Sequence, residues 1–326
     1  LGPAAEDIAD RYRRFAVEEA GGKSPLYEEL SSGVAGDPRL IHFLQELPGA
    51  KQQPNLLFAA YRHVLGVPQS FADFRAGLLQ HSDAVRQVMM ERSTQTNEPN
   101  RCAALLPILA SLHQPLALLE VGASAGLCLF PDRYGYDYPA KSLRPSHGTA
   151  PYPVFPCSTS GFAPPDVLPK IVWRAGLDLN PLRADDPEEV AWLQTLVWPE
   201  QQQRRDRLRL ALDIAAADPP TIIRGDLLGP EFEALCRQAP PEATLVVFHT
   251  AVLAYVLHPQ DRMDFAERAE ALADVWVCNE SPGATPLGDK ALPIAPIPGA
   301  FLLSVNRSPV AWTDPHGAWL EAIPVQ

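Results

Sequence analysis

Leu116-Ala117-Leu118-Leu119-Glu120-Val121-Gly122-Ala123-Ser124-Ala125-Gly126-Leu127 is the stretch whose reading decides the fold. A short apolar run that ends in glycines reads as a buried parallel strand entering a tight turn. Gly122 and Gly126 permit positive φ and let a ligand approach the backbone with no Cβ in the way. A helix is expected to start just after the turn, and its first N–H groups have no partner within the helix. Glu120, two residues before the first glycine, is placed to turn a carboxylate toward that ligand. Read this way the segment is a nucleoside-cofactor loop, with Glu120, Gly122, Ser124 and Gly126 as binding residues.

Two other readings compete for the same letters. Gly122 to Gly126 also spells the G-x-S-x-G nucleophile elbow of serine hydrolases. A triad in the order Ser, acid, His can be written as Ser124, Asp226 and His258 or His316. An elbow normally follows several strands, one of which ends in an oxyanion-hole loop, whereas the residues before 116 read as helical and hold no His-Gly-Gly loop. In the third reading the glycines serve only close strand–helix packing.

Toward the N-terminus the pattern is helical. Ile8, Tyr12, Phe15 and Ala16 recur at helical spacing, Asp37-Pro38 forms a cap with proline at the first helical position, and Leu56, Leu57, Ala60, Tyr61, Val64 and Leu65 make an apolar stripe. Ser70 caps a segment to about Glu91, and Pro99 opens one that ends near His113. Toward the C-terminus, apolar runs at 170–175, 220–224, 243–248 and 274–278 alternate with helical patterns at 187–196, 199–217, 231–237 and 259–272. That alternation predicts a parallel sheet covered on both faces. The last runs, at 301–305, 310–313 and 319–323, are separated by short turns and predict antiparallel strands at an edge. The expected architecture is α/β, mostly parallel, with about seven strands. A helical domain occupies 1–95 and the α/β domain 96–326, with 131–169 as a proline-rich insertion of loops or a hairpin.

Ligands in an open parallel sheet bind beyond the carboxyl ends of the strands, so polar residues there are site candidates. A carboxylate at the end of the second strand can accept both ribose hydroxyls, and Asp178 stands there, with Asp137 as its rival. Asp226 ends the next strand, and with Leu227 it is a candidate for the adenine end of a ligand. His249-Thr250 and Asn279-Glu280 end the two strands after that. An imidazole with an ordinary pKa of about 6.5 suits a general base, so His249 and Glu280 are the candidate proton acceptors, against the bland reading of His249 as a core histidine. Gln95, Asn97, Glu98 and Arg101 form a polar cluster before the first strand and are candidates for the substrate or cap, with loop-bracing as the alternative.

Composition narrows the function. The 326 residues carry a formal charge of −12, with 46% hydrophobic and 20% charged residues. No cationic surface is evident, which argues against binding a nucleic-acid backbone. The longest apolar run, 243–257, is too short and too polar to span a bilayer, and the opening residues do not read as a signal peptide. The five cysteines are far apart with no C-x-x-C pair, so buried thiols without disulfide or metal are expected, as in a cytoplasmic protein.

The segments Glu120–Leu127, Gly176-Leu177-Asp178-Leu179-Asn180-Pro181, Leu196-Val197-Trp198-Pro199-Glu200-Gln201, Arg224-Gly225-Asp226 and Val246–Tyr255 together resemble the DUF2332 family of bacterial proteins. Arg92–Glu98 with Arg101-Cys102, and Asp314-Pro315-His316-Gly317, are similar to further signatures of it. The resemblance covers nearly the whole chain and implies a fold like that of the S-adenosylmethionine (SAM) methyltransferases, a Rossmann-type sheet. Their loop commonly reads acid-x-Gly-x-Gly-x-Gly; Glu120, Gly122 and Gly126 match it, and Ser124 replaces the middle glycine. The expected activity is methyl transfer from SAM to a small molecule, leaving S-adenosylhomocysteine. A non-catalytic nucleoside-binding protein of the same fold and the Ser124 hydrolase remain as alternatives.

Overall fold

The computed structural model describes residues 3–95, 97–146, 151–288 and 290–324. It divides into two compact units, one made of Leu1–Thr96 and Pro187–Arg205, the other of Asn97–Asp186 and Asp206–Gln326. The helical part thus takes in the segment 187–205 as well as the N-terminal residues, where the sequence reading places it in the α/β part.

The first unit is built from α1 (Pro3–Arg14), α2 (Pro25–Gly36), α3 (Pro38–Gln45), α4 (Pro54–Leu65), α5 (Phe71–Gln80) and α6 (Ser82–Glu91). Helix α7 (Arg101–Ser111) opens the second unit, and α8 (Pro187–Leu196) belongs to the first. The starts follow local chemistry. The Ser24 side chain accepts from Tyr27 N, Asp37 from Arg39 N and Leu40 N, and Ser70 from Asp73 N, each satisfying amides that have no partner within the helix. Prolines at the first helical positions of α2, α3 and α4 cost no hydrogen bond there. The single segment expected from Ser70 to Glu91 breaks at His81 into α5 and α6.

Tyr12, Phe15, Tyr27, Phe58, Phe74 and Trp192 are buried in the core of this unit. Arg62 is buried among them, and its Nη1 donates to Tyr27 Oη (3.0 Å), Thr195 O (2.9 Å) and Val197 O (2.8 Å). One guanidinium therefore serves two carbonyls at the end of α8, that of Thr195 in its last turn and that of Val197 just beyond it.

The second unit carries a sheet of nine strands, two more than the number expected. They are β1 (Leu116–Val121), β5 (Ser158–Ser160), β6 (Ile171–Asp178), β7 (Thr221–Arg224), β8 (Thr244–Thr250), β9 (Val275–Glu280), β10 (Phe301–Val305), β11 (Ser308–Thr313) and β12 (Trp319–Ala322). Their order is β5-β12-β11-β10-β9-β8-β1-β6-β7. The pairs from β7 through β6, β1 and β8 to β9 are all parallel. Strands β10, β11 and β12 continue the sheet antiparallel, as the short turns predict.

Helix α9 (Gln202–Ala217) precedes β7, α10 (Pro230–Cys236) joins β7 to β8, and α11 (Pro259–Leu272) joins β8 to β9. The chain runs outward from β1 through β6 to β7, then returns to the other side of β1 through β8 to β9. That reversal makes a topological switch point between β1 and β8, and a crevice beyond the carboxyl ends of such strands is where open α/β sheets bind ligands.

The insertion is more ordered than a loop. Strands β2 (Gly135–Tyr138), β3 (Lys141–Leu143) and β4 (Val154–Pro156) form a separate small sheet, and β5 joins the far edge of the main one beside β12. This extra edge strand accounts for part of the higher strand number. Asp137 lies on β2, where Ser142 Oγ (2.7 Å) and Arg144 Nη2 (2.7 Å) both donate to its carboxylate. Those neighbours hold Asp137 below the usual carboxylate range, and they occupy the rival ribose acid within its own sheet.

A second correction concerns the glycine loop. No full helix follows it; only a single turn, Leu127–Leu129, stands between Gly126 and Phe130. Pro131 disfavours helical geometry at Phe130 and has no N–H to continue the ladder. The helix N-terminus expected behind the loop, with its array of free N–H groups, is missing. Among the described residues no helix is long and apolar enough to cross a membrane.

Candidate functional site

Glu120 is the next-to-last residue of β1 and is only 4% exposed. Its Oε2 has no hydrogen-bond partner among the described residues. Burial pushes this carboxyl well above its ordinary range, the neighbouring Cys128 adds to the rise, and Arg101 partly offsets it. A carboxyl group in that position is costly to ionise unless a cation reaches it.

The loop beyond Glu120 is pinned on both sides. Gly122 N (2.7 Å) and Ala123 N (3.2 Å) donate to Leu177 O at the end of β6. Gly122 has φ +72°, and a Cβ on it would come within 2.3 Å of Val252 Cγ2. Gly126 has φ +71°, and a Cβ there would meet Ile222 Cδ1 at 2.8 Å. Both glycines are therefore demanded by conformation and packing, which is the packing reading of the motif; a ligand role adds to this requirement.

Ser124 adopts φ +50° without being a glycine, and three groups hold it there. Its N–H donates to Asp178 Oδ2 (2.7 Å), Asn97 Nδ2 donates to its Oγ (2.8 Å), and Ala125 N donates to Asn97 Oδ1 (3.2 Å). Asp178 Oδ1 also accepts from Asn180 N (2.7 Å). The acid expected to meet a ribose thus braces the glycine loop with Oδ2 and its own turn with Oδ1, and each oxygen keeps a further lone pair. Among the described residues no hydrogen bond joins Ser124 to His258 or His316, and the Asp226 carboxylate accepts from Leu228 N (2.8 Å) in its own turn. Leu227, beside it, is packed on the core cluster behind the sheet.

His249 and Glu280 are brought together, but in the core. Both side chains are 0% exposed, with His249 Nδ1 at 2.7 Å from Glu280 Oε1. The same oxygen accepts from Val252 N (2.8 Å), and the imidazole packs against Phe265 and Trp276. These two residues, expected to accept a proton from a substrate, have no exposed atom with which to do so. The cause is the two-residue period of a strand: His249 shares the face of Leu245 and Val247, which α11 covers. Alternation puts Thr250 on the opposite face.

That opposite face holds a polar cluster centred on Arg101, at the start of α7. Its Nη1 donates to Thr250 O (3.1 Å) and Thr250 Oγ1 (3.2 Å), and its Nε to Pro315 O (2.8 Å). Asn279 is buried, and its Oδ1 accepts from Thr313 Oγ1 (2.8 Å). Glu98 is buried nearby, with His316 Nδ1 at 3.3 Å from its Oε2. Of the polar segment before β1, the structure gathers Asn97, Glu98 and Arg101 at the carboxyl edge of the sheet; Gln95 belongs to the helical unit. Thr313 and Cys128 escape a reading by motif, because nothing local marks them. His316 is legible only as a histidine in the turn Asp314-Pro315-His316-Gly317. All five cysteines are free and buried.

The fold and this edge define an open α/β protein with a braced glycine loop and a buried acid at the switch point of its sheet. The chain belongs to the family described as uncharacterised proteins conserved in bacteria, DUF2332, whose model matches residues 9–322. Neither a curated protein nor a solved structure matches it.

Proposed function

We propose that the α/β unit binds SAM at the switch point, as a methyltransferase-like Rossmann sheet does, and transfers its methyl group to a small molecule. The observation that carries this reading is Glu120, a buried acid beside a loop of positive φ, one of whose carboxylate oxygens has no hydrogen-bond partner among the described residues. An ammonium group, such as the one on the methionine part of SAM, is the partner that such an acid lacks. The Gly122–Gly126 backbone would hold the adenosyl part, and Asp178 would offer its remaining lone pairs to the ribose. Asp226, exposed at the end of β7, would lie toward the adenine. SAM brings an electrophilic methyl group, so the chain's own residues have to align the acceptor and exclude water.

Thermal unfolding with SAM, S-adenosylhomocysteine and ATP tests the reading. An adenosyl ligand at about 100 times its Kd stabilises by about 2.7 kcal/mol. The expected result is a shift with the two adenosyl amino acids, reduced in Glu120→Gln, and little with ATP. No shift with either adenosyl ligand refutes the proposal. Binding without turnover on any acceptor would instead make the protein a nucleoside-binding module.

A further inference from the structure

With His249 sealed in the core, the carboxyl edge needs another proton acceptor if the transferred methyl is to reach a hydroxyl, amine or acid. The strand directions supply one. Strand β10 runs antiparallel to β9 and β11 antiparallel to β10, so β11 ends on the same side as β1, β8 and β9. The turn after it carries Asp314-Pro315-His316-Gly317.

This turn is fastened at the site. Asn100 Nδ2 donates to His316 O (2.8 Å), and Arg101 reaches Pro315 O while also holding Thr250 at the end of β8. Asp314 Oδ1 accepts from His316 N (2.8 Å) and Ala318 N (3.2 Å). Gly317, at φ +80°, lies so close that a Cβ would come within 2.2 Å of Asn100 O. The turn is thus locked against the segment 97–101, whose Asn97 braces the glycine loop.

We infer that His316, oriented by Glu98, is the proton-accepting side chain of this edge, an inference that rests on the methyl-transfer reading. Its side chain is 53% exposed, whereas that of Glu98 is 5% exposed, so a buried carboxylate faces one side of an accessible ring. The facing atom is Nδ1, at 3.3 Å from Glu98 Oε2; acid–base pairs in ligand-free sites are often this loose and tighten on binding. A carboxylate favours a proton on the nitrogen it faces, which leaves the lone pair on Nε2 to accept one. The other charged groups at the turn have set partners: Arg101 is spent on Pro315 and Thr250, and Asp314 on backbone amides. Glu98 is the positioning residue, and His316 is the one that would touch the acceptor. The proton leaves the acceptor's nucleophile for Nε2 as the new bond to the methyl carbon forms, and the sulfonium leaves as a neutral thioether.

Glu98→Gln separates positioning from packing. Glu98 Oε1 accepts from Asn100 N (3.3 Å), so a glutamine amide oxygen keeps that place and turns its NH₂ toward His316 Nδ1. The amide then donates to Nδ1 and drives the ring proton to Nε2, the tautomer that cannot accept. The test is the ¹⁵N spectrum of imidazole-labelled protein at alkaline pH, with His316 assigned from the signal that disappears in His316→Gln. The expected wild-type ring is protonated at Nδ1, and the ring in Glu98→Gln at Nε2. The same tautomer in both proteins overturns the inference.

Turnover of SAM is measured in parallel on a panel of phenols, amines and carboxylic acids. His316→Gln and Glu98→Gln are expected to lower kcat by about 10²-fold or more, as loss of a general base does, with SAM affinity within about twofold. An unchanged kcat in His316→Gln also overturns it. If the wild type binds SAM but methylates nothing on the panel, the methyl-transfer reading fails. The tautomer, measured without any ligand, then decides the pairing by itself.

Discussion

Replacing Glu120 by Gln keeps the shape of the side chain and removes its charge, which isolates the cost of burying that carboxyl. Burial raises the pKa of Glu120 in the folded chain above its unfolded value. Below the ordinary carboxylate range it is protonated in both states, and its stabilising contribution is fully present. As pH rises past that range the unfolded chain loses the proton while the folded chain keeps it, so stability falls until the folded pKa is passed. One proton difference gives a slope of about 1.4 kcal/mol per pH unit. For a chain of 326 residues unfolding as one unit that amounts to about 2 °C in Tm for each pH unit.

Glu120→Gln has no such slope. Its amide NH₂ replaces an unpartnered oxygen with an unpartnered donor, at a cost of about 1–3 kcal/mol that does not vary with pH. The assay is thermal or urea unfolding of both proteins at half-unit steps from pH 4 to 8, read as the difference between them. The difference should start near or below zero and move in favour of Glu120→Gln as pH rises. Parallel curves above pH 5 would mean that Glu120 ionises as an exposed acid does, and the argument for a buried acid awaiting a cation would be refuted.

Other perturbations test neighbouring parts of the same reasoning. SAM and S-adenosylhomocysteine should bind wild type more tightly as pH rises toward neutrality, because ionising Glu120 creates the partner for the ammonium, and titration calorimetry should find this dependence absent in Glu120→Gln. Gly122→Ala forces an L-residue to φ +72° against Val252 and should lose about 2–5 kcal/mol in urea unfolding. Arg101→Lys leaves a single ammonium where a fork spans Pro315 and Thr250, so hydrogen exchange in 314–318 should quicken while the rest of the sheet keeps its protection. Arg62→Met strands the carbonyls of Thr195 and Val197 and should destabilise the helical unit by about 3–5 kcal/mol in thermal unfolding.

Much of the architecture was legible before any coordinates. Helix starts at Asp37 and Ser70 are local chemistry, a side-chain oxygen a few atoms from the amides it serves, and they stand where the letters place them. The alternation of apolar runs and helical patterns foretells the parallel strands, and short turns foretell the antiparallel edge. The insertion was less readable, because strands of three or four residues such as β3, β4 and β5 are too short to display a period. The missing helix after Gly126 has a local signal in Pro131, which lacks an N–H and disfavours helical geometry at Phe130.

What the sequence determined by itself was the strand that ends at Glu120, the turn that only glycines can make at 122 and 126, and a carboxyl edge lined with polar residues. Tertiary structure decided which of those residues face outward. A one-residue step along a strand reverses the face, so His249 falls among Phe265 and Trp276 while Thr250 meets Arg101. It also decided which distant segments share the edge: the hydrogen bond from Asn100 to His316 joins residues 216 positions apart. No local pattern encodes such a pairing, because it depends on the order in which strands between them are laid down in the sheet. Glu120 was visible as an acid before a glycine turn; that it is buried, with an oxygen that finds no partner among the described residues, follows only from the packing around it.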